Sequence, residues 1–190
     1  MRLFVRLMRV HLLLLATMRA GARPEHRPVR SKRQTRATGS ISRYPLGVRQ
    51  PQVGDTARRS MLVTDDQIEL FARLSGDRNP LHFDEDFARK TKFGRRVVHG
   101  GVTSAILNAL VAEDLPGPGS VFMEQHLKYT APVHPGDTIT ADLVVLNARE
   151  DKPVYTVAVK VTRQDGVSVL EGECVVYVMR TQGDADAGRG

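Results

Sequence analysis

From Thr138 onward the chain alternates: Ile139, Ala141, Leu143 and Val145 fall on one side, and Thr138, Thr140 and Asp142 on the other. A period of two predicts a half-buried antiparallel strand within DTITADLVVLNA (137–148). SVFMEQHLKY (120–129), PVYTVAVKVT (153–162) and VSVLEGECVVYVM (167–179) read the same way, with turn signals at Pro135-Gly136, Asp151-Lys152-Pro153 and Asp165-Gly166. Upstream the period changes. Ile68, Phe71, Ala72 and Leu74 fall at helical spacing behind Thr64, and Gln67 three residues on completes a capping box. Gly76 and Pro80 end that helix, and Asp84 caps a short one, DEDFARKT, before Phe93-Gly94. TARRSMLV (56–63) is a first strand. Val102 to Ala112 is apolar or small nearly all round, with only Thr103, Ser104 and Asn108 polar. Such a stretch predicts a buried helix of roughly 15–20 Å, which PGPG at 116–119 terminates. A buried helix followed by antiparallel strands predicts an α+β fold, a sheet curled around one helix.

Composition matters chiefly because it is uneven. The 190 residues carry 28 Lys/Arg against 21 Asp/Glu, a net +7. Residues 1–50 hold 12 of those bases and one acid, Glu25, so residues 51–190 are mildly acidic at −4. The basic balance therefore belongs to the leader, and the globular part has no sign of a nucleic-acid groove. The leader, with arginines at 2, 6, 9, 19, 23, 27, 30, 33 and 36 among leucines and valines, is Arg-rich, acid-poor and amphipathic. That is the pattern of a mitochondrial matrix presequence. HLLLLATM makes a secretory signal the rival reading, but arginines interrupt the stretch before it and the run is too short to span a bilayer. We expect a targeting segment and linker over 1–50, one domain over 51–182, a C-terminal tail over 183–190, and no membrane insertion. Cys174 is the single cysteine, so neither an intrachain disulfide nor a cysteine metal cluster is expected.

Candidate chemistry concentrates in SGDRNPLHFDEDFA (75–88). Pro80 stiffens the backbone between Asp77 and His82, so a carboxylate and an imidazole could share one water, general acid–base chemistry of a kind that supplies roughly 10²–10⁴ in rate. Taken alone, the pair is better read as turn residues beside a surface histidine. His99-Gly100-Gly101 stands immediately before the apolar helix, where free amides at a helix N-terminus can bind a developing oxyanion.

LSGDRNPLHFDEDFARKTKFGRRVVHGGV, followed by LPGPGSVFMEQHLKYTAPVHPGDTITADLVV, resembles the signature of the MaoC-like (R)-specific enoyl-thioester hydratases of the hot-dog fold. The likeness runs over about residues 54–180, with the SGDxNPLHxD and VHG motifs in order. It implies a (3R)-hydroxyacyl-thioester dehydratase, or the reverse hydratase, with Asp77 and His82 as catalytic pair and the Gly100 N–H as oxyanion donor. It also implies that Asn79 shapes the loop. Asn108 stands where relatives often carry Ser; its amide can still bond a carboxylate. His99 is expected to be a supporting, structural residue, and His126 and His134 to have no role in the chemistry. The resemblance further implies a homodimer whose sheets join, an acyl thioester carried on coenzyme A or acyl carrier protein, and fatty acid synthesis in the mitochondrial matrix. No metal or redox cofactor is expected, since dehydration passes no electrons to an acceptor. Lys90, Lys92, Arg95 and Arg96 could meet carrier phosphates, although a solvated loop explains them as well. Rival readings are a hot-dog thioesterase, which would not need the SGDxNPLH pairing, and a non-catalytic acyl-thioester binding module, which would lose Asp77 or His82. A nucleic-acid-binding protein would rest on the leader alone.

Overall fold

The computed structural model describes residues 50–179. The expected targeting segment, residue 50 apart, and the C-terminal tail lie outside them. Strand β1 (Thr56–Leu62) leads into α1 (Asp65–Ser75), then two short helices, α2 (Pro80–Phe83) and α3 (Glu85–Arg89), and the long central helix α4 (Gly100–Ala109). A π-helical turn, Leu110–Asp114, extends α4 before β2 (Ser120–Tyr129), β3 (Thr138–Ala148), β4 (Val154–Arg163) and β5 (Ser168–Val178). The strands form one antiparallel sheet in the order β1-β3-β4-β5-β2.

The sheet curls around α4, as the periodicities predict. Ile139, Ala141, Leu143 and Val145 of β3 are buried, and they meet Val157, Val159 and Val161 of β4 and Val102, Ile106, Leu107 and Leu110 of the helix in one core. Shape limits this burial on one side. Ala105, Asn108 and Ala112 form an exposed stripe along α4, where the apolar composition predicted cover all round. A curled sheet wraps one side of a rod only, and small side chains tolerate the open side.

Two backbone details place the 75–88 segment. Thr64 caps α1, and Gln67 Oε1 accepts its N–H at 3.0 Å, as the capping box requires. Gly76 ends α1 at φ 79°, a left-handed conformation that a glycine adopts without strain, and its N–H donates to the Ala72 carbonyl at 2.9 Å. That reversal swings the chain back over the N-terminus of α4.

Candidate active site

Asp77 follows the Gly76 reversal, and neighbouring backbone groups orient it. Its own N–H donates to Ser75 Oγ at 3.2 Å, and Asn79 N–H donates to its Oδ1 at 3.0 Å. Oδ1 is thereby occupied and Oδ2 is left for chemistry. Asn79 also caps α2, its Oδ1 accepting the Leu81 N–H at 3.0 Å, with Pro80 in the first helical position. His82 therefore sits on a single helical turn, not on the open loop expected from SGDRNP. The Asn-Pro pair, a cap followed by a proline that needs no donor, was the signal for that turn.

The His82 ring is buried, and its Nδ1 lies 2.7 Å from the Val97 carbonyl. A carbonyl can only accept, so Nδ1 carries the proton and Nε2 presents a lone pair. Nε2 stands 3.6 Å from Asp77 Oδ2. Two acceptors face each other across a gap too wide for a direct hydrogen bond. A water between them would donate one O–H to each and keep a lone pair for an electrophile. Asp77 remains 47% exposed in its side chain, so the gap is open to solvent and to substrate.

His99 is drawn further into the site than its reading as a supporting residue implied. It is 2% exposed, and its Nε2 lies 3.0 Å from the Asp77 carbonyl and 3.8 Å from Asp77 Oδ2. Its ring stacks on His82 with centroids 3.7 Å apart and planes at 30°, and the rings of Phe71 and Phe83 pack around it at 5.1 and 6.0 Å. Nε2 must carry the proton, because the Asp77 carbonyl accepts. That leaves Nδ1 buried without a partner. No local pattern announced this contact, since the two histidines meet only through the tertiary fold.

Asp77, His82 and His99 hold their potential ligand atoms within 4.8 Å of one another, which raises the question of a metal ion. The donor set does not fit one. His99 could offer Nε2 only by moving its proton to Nδ1, which has no acceptor, and by giving up the Asp77 carbonyl.

Gly100 is the first residue of α4, with His99 as the cap residue. The His99 side chain is committed to Asp77 and does not cap the helix. Val102 and Thr103 donate to the His99 carbonyl, and among the described residues the N–H groups of Gly100 and Gly101 have no acceptor. Free donors at the positive end of a helix dipole, one residue from His99, suit an anionic oxygen beside Asp77 and His82. Gly101 is held small by Phe71, whose Cζ would lie 2.1 Å from a Cβ there.

The remaining candidates separate. Asn108 does not reach Asp77: it lies on the exposed stripe of α4, and its Nδ2 is 3.5 Å from the Ala105 carbonyl. Two turns of helix separate it from the start of α4, where the Asp77 loop docks. Arg96 is engaged by Asp65 at 3.0 Å and Glu85 at 3.5 Å, Arg95 lies 4.0 Å from Asp137, and Lys92 lies over the Phe93 ring. Ion pairing thus takes up much of the basic cluster considered for carrier phosphates. His126 pairs with Glu124 on the surface, and buried His134 donates Nδ1–H to the Arg96 carbonyl at 2.7 Å, a structural bond.

Comparison with known proteins bears on this geometry. The family described as MaoC like domain matches residues 49–166. The (R)-specific enoyl-CoA hydratase of Aeromonas caviae is 40% identical over 125 residues, covering 66% of this chain and 93% of that protein. The mitochondrial 3-hydroxyacyl-[acyl-carrier-protein] dehydratase of Arabidopsis thaliana is 36% identical over 106 residues, covering 56% of this chain and 63% of the relative. In structure, the (R)-hydratase from A. caviae involved in PHA biosynthesis superposes with a TM-score of 0.65 at 39% identity, over 68% of this chain and 98% of that one.

Proposed function

The chain belongs to the MaoC-like domain family, and on that premise we propose that it is a (3R)-hydroxyacyl-thioester dehydratase and (R)-specific trans-2-enoyl-thioester hydratase. The thioester hydro-lyase class follows from relatives named as hydratases and dehydratases. The observation that carries the assignment of residues is the 3.6 Å gap between the His82 Nε2 lone pair and Asp77 Oδ2.

In hydration, a water in that gap adds its oxygen to C3 of the enoyl thioester. Its proton passes to one member of the pair, and C2 takes up a proton from the site. As the C3–O bond forms, the double bond's electrons move toward the thioester carbonyl, whose oxygen gains enolate charge. The Gly100 N–H is placed to hold that oxygen, and removing one such donor costs roughly 2.7–4 kcal/mol of transition-state stabilisation. Dehydration runs the same steps backward. His99 holds the Asp77 carbonyl and packs the His82 ring, so the geometry is set before substrate arrives.

Mitochondrial dehydratase relatives from two plants and the Arg-rich leader support a matrix location and a part in mitochondrial fatty acid synthesis. A homodimer is supported by β2, an edge strand that exposes Val121 and Met123 and could pair with a second copy. The carrier would be coenzyme A or acyl carrier protein. The test is hydration of crotonyl-CoA by the purified chain, followed by loss of enoyl absorbance and by product stereochemistry. A (3R) product, with Asp77→Asn and His82→Ala each slower by about a hundredfold or more, is expected. A folded protein inactive on every enoyl thioester offered would leave a binding module in place of an enzyme.

A further inference from the structure

Tyr129 ends β2 and shares the inward face of that strand with Leu127, two residues back, which packs against the core. The strand end is fixed directly after it, where Thr130 donates N–H to the Val169 carbonyl at 3.0 Å and Oγ1–H to the Ser168 carbonyl at 2.6 Å. The phenol end of the ring packs against the first residue of α4. A Cβ on Gly100 would stand 3.2 Å from Tyr129 Cε1, 3.3 Å from Cζ and 3.6 Å from the hydroxyl oxygen. No hydrogen bond is made by that hydroxyl among the described residues, and the side chain is half exposed. Tyr129 thus presents an uncommitted O–H beside the uncommitted N–H of Gly100.

The distance between these donors is bounded. A Cβ lies about 2.5 Å from its own amide nitrogen, so the Gly100 nitrogen and the Tyr129 oxygen are no more than about 6 Å apart. That is about the span one oxygen bridges when it accepts from both at about 2.8–3.0 Å. We infer that Tyr129 is a catalytic residue, the second donor to the thioester carbonyl oxygen, acting together with the Gly100 amide. Resting on the hydratase reading of this site, the inference extends the oxyanion site from one backbone donor to a backbone and side-chain pair. The phenol transfers no proton; it donates one hydrogen bond that strengthens as enolate charge accumulates. A Cβ at position 100 would make the ring shift by a few tenths of an ångström.

The experiment is steady-state hydration of crotonyl-CoA by full-length wild type and Tyr129→Phe. Phenylalanine keeps the ring against Gly100 and removes only the hydroxyl. The expected result is a kcat lower by about fivefold or more with KM within about twofold, because a donor used mainly in the transition state lowers kcat. A kcat within about twofold of wild type overturns the inference. So does a rise in KM at unchanged kcat, which would make the hydroxyl a ground-state contact. Inactive wild type would overturn the hydratase reading and this inference with it, whereas active wild type with an unaffected variant overturns the inference alone.

Discussion

Gly172→Ala offers a test of how the sheet curls. Gly172 lies in β5 opposite Leu127 of β2, and a Cβ there would stand 2.0 Å from the His126 carbonyl oxygen and 3.1 Å from the Leu127 Cα. Carbon and carbonyl oxygen approach to about 3.3 Å at the closest, so β2 would have to retreat by about 1.3 Å. Ladder bonds of about 2.9 Å would then stretch past the limit of about 3.5 Å, and two of them are worth about 1 kcal/mol each. Overpacking of the backbone adds about 1–3 kcal/mol. The obstruction is main chain, which has no alternative rotamer, so relaxation recovers little. A loss of about 3–5 kcal/mol lowers Tm by about 10–15 °C for a domain of this size. Thermal and urea unfolding of the full-length variant, followed by circular dichroism, reads this directly. A Tm within about 3 °C of wild type would refute the reasoning, because it would mean that β2 and β5 can separate at no cost.

Other perturbations probe separate parts of the structure. His99→Phe keeps a ring stacked on His82 but removes the donor to the Asp77 carbonyl; kcat is expected to fall about tenfold with Tm within a few degrees, and His99→Gln, which keeps an N–H donor, to recover part of it. Leu107→Ala, at a fully buried position of α4, is expected to cost about 2–5 kcal/mol in urea unfolding. Burial pushes the Asp137 carboxyl up, but hydrogen bonds from Gln164 and the His134 N–H, with Arg163 nearby, outweigh it and leave it below its ordinary 3.8. Its contribution is therefore complete above the ordinary value and lost as pH falls through the depressed one, so Asp137→Asn should lower stability at neutral pH and flatten the decline in acid. Burial, with Glu173 beside it, pushes the Cys174 thiol up to about 11, so iodoacetamide at pH 8 should leave it unmodified until urea exposes it.

The elements were readable because their periods are clean. β3 alternates from Thr138 to Leu143, and its inward residues Ile139, Ala141, Leu143 and Val145 are all buried; Val144, on the other face, is buried as well. The α1 boundaries were legible from Thr64, Gln67 and Gly76, each a residue whose chemistry at a helix end is specific. What escaped was the asymmetry of α4. Ala105 and Ala112 are apolar by composition yet exposed, because alanine fits either environment and only the three-dimensional wrap of the sheet decides between them. The one-turn helix under His82 escaped for a different reason. Gly76 and Pro80 both signal a break, and Pro80 acts here as a start.

The site divides along a similar line. Residue type and order singled out Asp77, His82 and Gly100 as candidates, and the fold brings Asp77 and His82 to 3.6 Å. On the proposed reading, what would make the pair reactive is the position of one proton on each imidazole, and main-chain carbonyls remote in sequence set both. The Val97 carbonyl lies 15 residues from His82, and the Asp77 carbonyl 22 residues from His99. In the neutral rings each carbonyl takes the one N–H, so His82 presents Nε2 bare to the gap and His99 stays a donor to the loop. A side-chain acceptor could rotate away or titrate; a backbone carbonyl in a packed loop can do neither. The protonation pattern is therefore a property of the fold, and shifting the Val97 segment or the Asp77 loop should impair catalysis even with both histidines in place.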